Sequence, residues 1–349
     1  MDTLWEKLKK TEKPIVMYGM GNGADKILAR CEEKGIEIKD FFASDGFVRG
    51  HSFHGKRVLS FAEVREKYGD FIILISFASY LESVLDIFYA LDREYEVYAP
   101  DVPVAGEGTF DGGYYEKHRC ETEYSRGLFE DEESKRVFDC VINFKLTGKL
   151  EYLRESECEK DAAYALLRKV QPFIVDAGAY TGDTAKEFLS RFEGVKKIVA
   201  LEPDPKTFKK LLAYSETEPR VFPVNAAAYK ETAEKEFDAS SNRNANLYSL
   251  GKRKAKINCV AIDDLVSEAP SLIKYDVEGA EKDALTGSSG TIKKYAPDLI
   301  VSAYHRNEDI FELPVLIKKL RPGYKLYLRR FRYVPAWDLN IIATKEETT

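Results

Sequence analysis

The chain has 349 residues, a hydrophobic share of 44% and a formal net charge of −6. That length suits two domains with a connector, and the apolar share is ordinary for a globular protein. The acidic balance excludes binding to nucleic acid or to an anionic membrane by bulk charge alone. The apolar run at residues 71–78 is too short to cross a bilayer and reads as a buried strand. The opening Met1-Asp2-Thr3-Leu4-Trp5-Glu6 is amphipathic and charged, unlike a secretory signal. Cys31, Cys120, Cys140, Cys158 and Cys259 are scattered and form no C-x-x-C pair, which favours reduced thiols in a cytoplasmic protein over disulfides or zinc.

Ile15-Val16-Met17-Tyr18 reads as a first strand. Gly19-Met20-Gly21-Asn22-Gly23-Ala24 follows, then a helix over residues 25–34 with Ile27, Leu28 and Cys31 on one face and Gly35 as its C-cap. Further strands are expected over 36–43, 71–76 and 95–98, with helices over 61–68 and 80–90. Alternation of this kind predicts a small Rossmann-like parallel-sheet domain over residues 1–105. Its glycines fit a nucleotide loop in part, with Asp45 where a ribose-binding acid stands, and they equally fit a turn that only packs. His51 and His54 read as surface residues of a loop. Residues 102–113, rich in glycine and proline, read as a domain boundary. Residues 106–168 read as a mostly helical connector. Its acidic run Glu130-Asp131-Glu132-Glu133 is expected to be a solvated helix start. Tyr114, Tyr115, Tyr124 and Tyr152 are expected either to line a substrate cleft or to pack between domains.

Residues 169–349 alternate again. Phe173-Ile174-Val175-Asp176 runs into Ala177-Gly178-Ala179-Tyr180-Thr181-Gly182-Asp183-Thr184 and then a helix. Strand, glycine loop and helix present backbone N–H groups to a nucleotide-like ligand, and glycine permits close approach. Asp176 precedes the glycines, where a dinucleotide fingerprint has glycine, so the loop suits a cationic cofactor such as S-adenosylmethionine better than a pyrophosphate. The next strand ends at Glu202-Pro203-Asp204, where an acid can accept both ribose hydroxyls. Asn225 and Ala226 follow a third strand over 221–227, with Asn225 offering an amide. Residues 236–237 and 256–262 predict an inserted hairpin, and the polar loop at 240–246 is long enough to lie over a site. Lys274-Tyr275-Asp276-Val277-Glu278-Gly279-Ala280-Glu281 clusters three acids at a strand end, and a fifth strand over 299–305 delivers His305 to the same edge. Closing strands are expected over 324–328 and 339–343.

The second half resembles the FkbM-type S-adenosylmethionine-dependent methyltransferases. The resemblance rests on Val175-Asp176-Ala177-Gly178-Ala179-Tyr180-Thr181-Gly182-Asp183-Thr184, Leu201-Glu202-Pro203-Asp204-Pro205, Ile262-Asp263-Asp264-Leu265 and Ile273-Lys274-Tyr275-Asp276-Val277-Glu278-Gly279-Ala280-Glu281. Tyr180 stands where asparagine is common, and Tyr275 where isoleucine is. The resemblance implies an α/β fold, a Rossmann-like seven-stranded methyltransferase domain, here preceded by a smaller Rossmann-like domain and a helical connector. It also implies O-methylation of a sugar, polysaccharide or polyketide-like hydroxyl. The expected cofactor site is Asp176, Gly178, Ala179, Tyr180, Thr181, Gly182, Glu202, Pro203, Asn225, Ala226 and Asp276. Asp276 and His305 are the two candidate bases. Related small-molecule O-methyltransferases use Mg2+, and Asp276, Glu278 and Glu281 are the acids that could bind one.

The expected partner is a small-molecule or carbohydrate acceptor. Membrane is not expected, and the oligomeric state is open, a homodimer included. A competing reading, an RNA methyltransferase or nucleic-acid binder, draws on Lys252-Arg253-Lys254 and on Tyr327-Leu328-Arg329-Arg330-Phe331-Arg332-Tyr333, which interleaves bases and rings. A third is a non-catalytic nucleotide-binding regulatory protein, against which Asp176, Gly178, Glu202 and Asp276 stand.

Overall fold

The computed structural model describes residues 3–48, 50–238 and 254–345. The expected loop at 240–246 and the pair Lys252-Arg253 lie outside the described residues.

The N-terminal unit carries four parallel strands, β1 (Ile15–Tyr18), β2 (Asp40–Phe42), β3 (Ile72–Ile75) and β4 (Glu96–Tyr98), in the order β2-β1-β3-β4. Every residue of β1 and β3 is buried. That is what a parallel sheet covered on both faces requires, and it explains their unbroken apolar sequences. The helix Asn22–Lys34 buries Ala24, Ile27, Leu28 and Cys31 on one stripe and ends at Gly35 with φ +70°. The glycines of the loop and of the first helical turn serve packing at two positions. A Cβ on Gly23 would lie 2.2 Å from the Ser76 carbonyl oxygen, and one on Gly19 would lie 2.6 Å from the Phe77 ring. His54 is on the surface, paired with Asp25 at 2.7 Å.

The C-terminal unit is built on β5 (Phe173–Ala177), β6 (Lys197–Leu201), β7 (Val221–Val224), β11 (Leu272–Tyr275), β12 (Asp298–Ser302), β13 (Tyr324–Arg330) and β14 (Leu339–Lys345). Between β7 and β11 lie β8 (Ala227–Ala228), β9 (Ala233–Asp238) and β10 (Lys254–Val260), where β9 and β10 form the expected antiparallel hairpin. The seven strands run in the order β13-β14-β12-β11-β5-β6-β7, all parallel except β14, which is antiparallel to both neighbours. The strand order reverses beside β5. The glycine loop after β5 therefore opens on the crevice at a topological switch point, where such sheets bind ligands.

The segment between the sheets is helical, with its longest helix at Glu132–Thr147. Its N-cap, Asp131, accepts from the Ser134 N–H at 2.8 Å. Here the reading of the acidic run as merely solvated is corrected in part. Asp131 and Glu133 pair with Arg329 of β13 at 2.5 and 3.4 Å, while Glu132 stays in solvent. Arg329 and Arg330 are buried, and Arg330 is spent on the Ser156 hydroxyl and the carbonyls of Phe331 and Tyr333. These two cations are therefore interior ties and not a basic face for nucleic acid.

The glycine-rich stretch at 102–113 does more than join units. The Ala105 N–H donates to the His305 carbonyl at 2.9 Å, and Lys26 donates to the carbonyls of Pro103 and Val104 at 3.2 and 2.9 Å. A buried ion pair, Lys145–Asp101 at 2.8 Å, fixes its start. This stretch packs on the edge of the large sheet that carries His305.

Candidate active site

The loop after β5 depends on two left-handed glycines. Gly178 has φ +88°, and a Cβ there would lie 1.8 Å from the Asp276 carbonyl oxygen. Gly182 has φ +87°, and its Cβ would lie 2.4 Å from the Tyr214 ring. The first thus lets the end of β11 close on the loop, and the second seats Tyr214. Gly178→Ala is expected to cost more than ~2 kcal/mol of folding stability, because strain at positive φ adds to a backbone clash. Gly323→Ala, which meets nothing within 4 Å, serves as the control and should stay within about 0.5 kcal/mol. Equal denaturant midpoints for the two variants would contradict this account.

The N–H groups of Gly178 and Ala179 donate to the Leu201 carbonyl at 3.0 and 2.8 Å, binding the loop to the end of β6. Tyr180 sits at φ +48°, is 54% exposed and donates its N–H to Glu202 Oε2 at 3.1 Å. Thr181 is half-buried beside it. Glu202 is 7% exposed and also accepts from the Asp204 N–H at 2.8 Å. Burial pushes its carboxyl up to about 7 despite those two donors. Asn225 donates its amide to the carbonyls of Glu202 and Pro203 at 2.8 and 3.3 Å, and Ala226 is buried behind it. The Asn225 amide nitrogen is therefore committed to holding the Glu202–Pro203 turn and is not offered to a ligand. The stretches 176–182, 202–203 and 225–226 meet at one edge of the sheet.

A lysine that sequence reasoning passed over lies beneath the loop. Lys274 faces Asp176 across the β11–β5 pairing. Its Nζ is 3.4 Å from Asp176 Oδ1, 3.4 Å from Asp276 Oδ2 and 3.5 Å from the Gly178 carbonyl. Burial would lower this ammonium, but the carboxylates of Asp176 and Asp276 outweigh it and hold it above the ordinary lysine range. Asp176 is fully buried, which pushes its carboxyl up, and its Oδ2 has no partner among the described residues. Asp276 goes the other way. Burial opposes its charge, yet Lys274 and then His305 hold it below the usual carboxylate range. The signal in the sequence was a lone lysine inside Leu272-Ile273-Lys274-Tyr275, where a charge needs partners to be buried.

His305 arrives in the turn after β12 and is 1% exposed. Its Nδ1 bonds to Glu281 Oε1 at 2.8 Å, while Nε2 lies 3.5 Å from Asp276 Oδ1 and 3.9 Å from Glu278 Oε2. Burial would lower its pKa, but Glu281, then Glu278 and Asp276, raise it to about 10. The structure thus brings Asp276 and His305 together. Glu281 at Nδ1 and Asp276 and Glu278 around Nε2 favour the charged ring, which makes His305 a poorer proton acceptor than Asp276. The Mg2+ expectation changes for the same reason. Asp276, Glu281 and His305 offer ligand atoms within 4.8 Å of one another. Yet Glu281 Oε1 already accepts from the Val277 N–H at 2.9 Å as well as bonding to the ring, and Lys274 already lies 3.4 Å from Asp276. This donor set suits an internal ion-pair cluster better than a hard ion that wants free oxygens.

Beside Asp276 opens a cavity of about 740 Å³. Six lining side chains are acids: Glu157, Glu159, Asp183, Glu187, Asp276 and Asp338. Three are basic: Lys160, Lys274 and Arg332. Its rings are Tyr80, Tyr164, Tyr304, Phe331, Tyr333 and Trp337. None of Tyr114, Tyr115, Tyr124 and Tyr152 lines it. Tyr114 packs on Phe110 with centroids 5.2 Å apart, and Tyr124 is 62% exposed elsewhere. The cavity tyrosines were missed because they come from four separate chain segments, which no local spacing links.

A seven-stranded sheet with this order, a glycine loop after its central strand and an acid at the end of the next define a Rossmann-like methyltransferase fold. Residues 176–331 match the family described as Methyltransferase FkbM domain. Those residues form an FkbM methyltransferase domain. Among solved structures, methyltransferase FkbM from Methylobacillus flagellatus KT is similar over 95% of this chain and 90% of its own, with a TM-score of 0.73 and 22% identity. That likeness shows the fold across both sheets. A putative rRNA-methylase from Clostridium thermocellum is similar over 53% of this chain and 92% of its own, with a TM-score of 0.35 and 9% identity. Comparison with curated proteins finds no match. Among the described residues no helix is long and apolar enough to cross a membrane.

Proposed function

We propose that the enzyme transfers a methyl group from S-adenosylmethionine to a hydroxyl of a saccharide or related small molecule. The observation that carries this reading is Asp276. Lys274 and His305 hold it below the usual carboxylate range, its side chain is 32% exposed, and it lines the cavity next to the glycine loop. The loop fits the cofactor. Gly178 lets the end of β11 close on the loop, Gly182 seats Tyr214 beneath it, and Glu202 stands at the end of β6 where ribose hydroxyls would donate to it. Asp176 and Asp276 supply negative charge beside a cationic ligand. S-adenosylmethionine brings an electrophilic methyl group. Asp276 orients the acceptor hydroxyl and takes its proton, held by the Tyr304 hydroxyl at 3.3 Å, Lys274 and His305. Positioning of this kind supplies several kcal/mol, and a base a further ~10²–10⁴-fold. The same reading divides the chain at about residues 105 and 168, with the N-terminal unit helping to wall the site.

The cofactor arm is tested at Glu202. Glu202→Ala is expected to weaken S-adenosylmethionine binding by about 1–3 kcal/mol, the cost of lost charge-assisted hydrogen bonds. In the wild type the Glu202 carboxyl lies near 7, raised by burial. Ribose hydroxyls favour its ionised form, so affinity should rise with pH through about 7 and level off above it, with proton release on binding below that point. Titration calorimetry in buffers of different ionisation enthalpy measures both effects. An unchanged affinity in a folded variant removes Glu202 from the site. The acceptor arm is tested by a methyl-transfer screen over saccharides and other small hydroxyl compounds.

A further inference from the structure

From Asp276 the cavity wall continues outward along four aromatic rings. Tyr304, which donates to Asp276, lies 6.2 Å from Trp337 between centroids, at 27° between planes. Trp337 lies 5.7 Å from Tyr333, and Tyr333 lies 5.7 Å from Tyr80. The first three rings belong to the large-sheet unit, and Tyr80 belongs to the N-terminal unit. Tyr80 is held there. The N–H groups of Ser79 and Val334 donate to each other's carbonyls at 2.9 Å, locking the two loops side by side. Despite this anchoring Tyr80 is 63% exposed, so interior packing does not explain why a large ring is fixed at the cavity mouth.

We propose that this row is an acceptor subsite for an uncharged or amino-bearing oligosaccharide of two or more rings, and that Tyr80 makes the N-terminal unit part of it. The proposal rests on the saccharide reading above and narrows it. The C–H face of a sugar ring is apolar and slightly positive, and it complements the negative face of an aromatic ring. A single ring serves a single sugar. A row that begins at Asp276 and runs outward serves a chain, with the methylated residue at Tyr304 and the following residues toward Tyr333 and Tyr80. Charge selects among chains. Acids outnumber bases among the lining side chains six to three, and Arg332 faces Glu82 and Glu157 at 3.4 and 3.7 Å. Phosphate, sulfate or uronate groups would meet repulsion there, whereas neutral or amino sugars do not.

The test uses the full chain as wild type, Tyr80→Ala and Tyr80→Phe, with S-adenosylmethionine as donor. Acceptors are neutral, amino-bearing and sulfated saccharides, each as the monosaccharide and as the trisaccharide. The wild type is expected to favour neutral or amino trisaccharides over their monosaccharides. Tyr80→Ala should raise KM for trisaccharides roughly three- to tenfold, the range of one aromatic stacking contact. It should leave monosaccharide rates and KM for S-adenosylmethionine unchanged, and Tyr80→Phe should behave as wild type. Equal effects of Tyr80→Ala on mono- and trisaccharides, no effect on either, or a preference for sulfated chains overturns the subsite. If the wild type methylates a non-sugar hydroxyl and no saccharide at all, it is the saccharide reading itself that fails.

Discussion

Asp276→Asn is expected to lower single-turnover methyl transfer by at least roughly tenfold while changing S-adenosylmethionine affinity far less. The substitution keeps the shape and much of the hydrogen bonding and deletes the charge. In the wild type, Asp276 lies between Lys274 Nζ at 3.4 Å and His305 Nε2 at 3.5 Å, and these two cations keep it ionised. An ionised carboxylate at the cavity wall can accept a hydroxyl proton throughout the neutral range. The depressed pKa means that activity should persist as pH falls to the ordinary carboxylate range and be lost only below it. The asparagine amide would instead present a donor to the same two cations, so a small drop in affinity from local rearrangement is expected beside the large drop in rate. Rapid-quench measurement with saturating donor separates the two. A full rate in Asp276→Asn assigns the proton to another group and removes the observation on which the functional reading rests.

Where periodicity and punctuation decided the structure, the sequence was legible. Both sheets, the helix Asn22–Lys34 and the hairpin of β9 and β10 follow from apolar runs and glycine breaks. So do the acids at the ends of β5, β6 and β11, because a motif fixes their neighbours in the chain. Burial was harder to read. The second strand was expected over 36–43 and is confined to Asp40–Phe42, because Ile36 and Ile38 bury their side chains without joining the ladder. Arg329 and Arg330 looked like surface cations and are interior, since their partners Asp131 and Ser156 are more than 170 residues away. The row of rings at the cavity could not be read for the same reason. His305 was placed at the right edge, but its protonation depends on Glu281, Glu278 and Asp276 closing round it, and only the folded chain shows that.

That closure makes His305→Gln the substitution with the largest expected cost to stability. Glu281 is fully buried, with Oε1 shared between the Val277 N–H and the His305 ring and with Oε2 unpartnered among the described residues. Removing the imidazolium leaves a buried carboxylate without its cation, which costs about 3–5 kcal/mol. Glutamine restores a donor but no charge. The pH dependence identifies the cause. Burial opposes the charge of His305 but Glu281 and its neighbours prevail, so the folded pKa is raised to about 10 from an ordinary 6.5. A raised value means that the folded state binds the extra proton. The stabilisation is therefore complete below about 6.5 and fades as pH climbs toward 10. The gap in unfolding free energy between wild type and His305→Gln should be widest at pH 6 and shrink steadily to pH 10, as read by denaturant titration at each pH. Adding Glu281→Gln to His305→Gln should recover part of the loss, because the two side chains form one unit and their single effects cannot add. A gap that stays constant with pH means that His305 is neutral in the folded protein. In that case its Nε2, 3.5 Å from Asp276 Oδ1, would again be available to take the acceptor's proton.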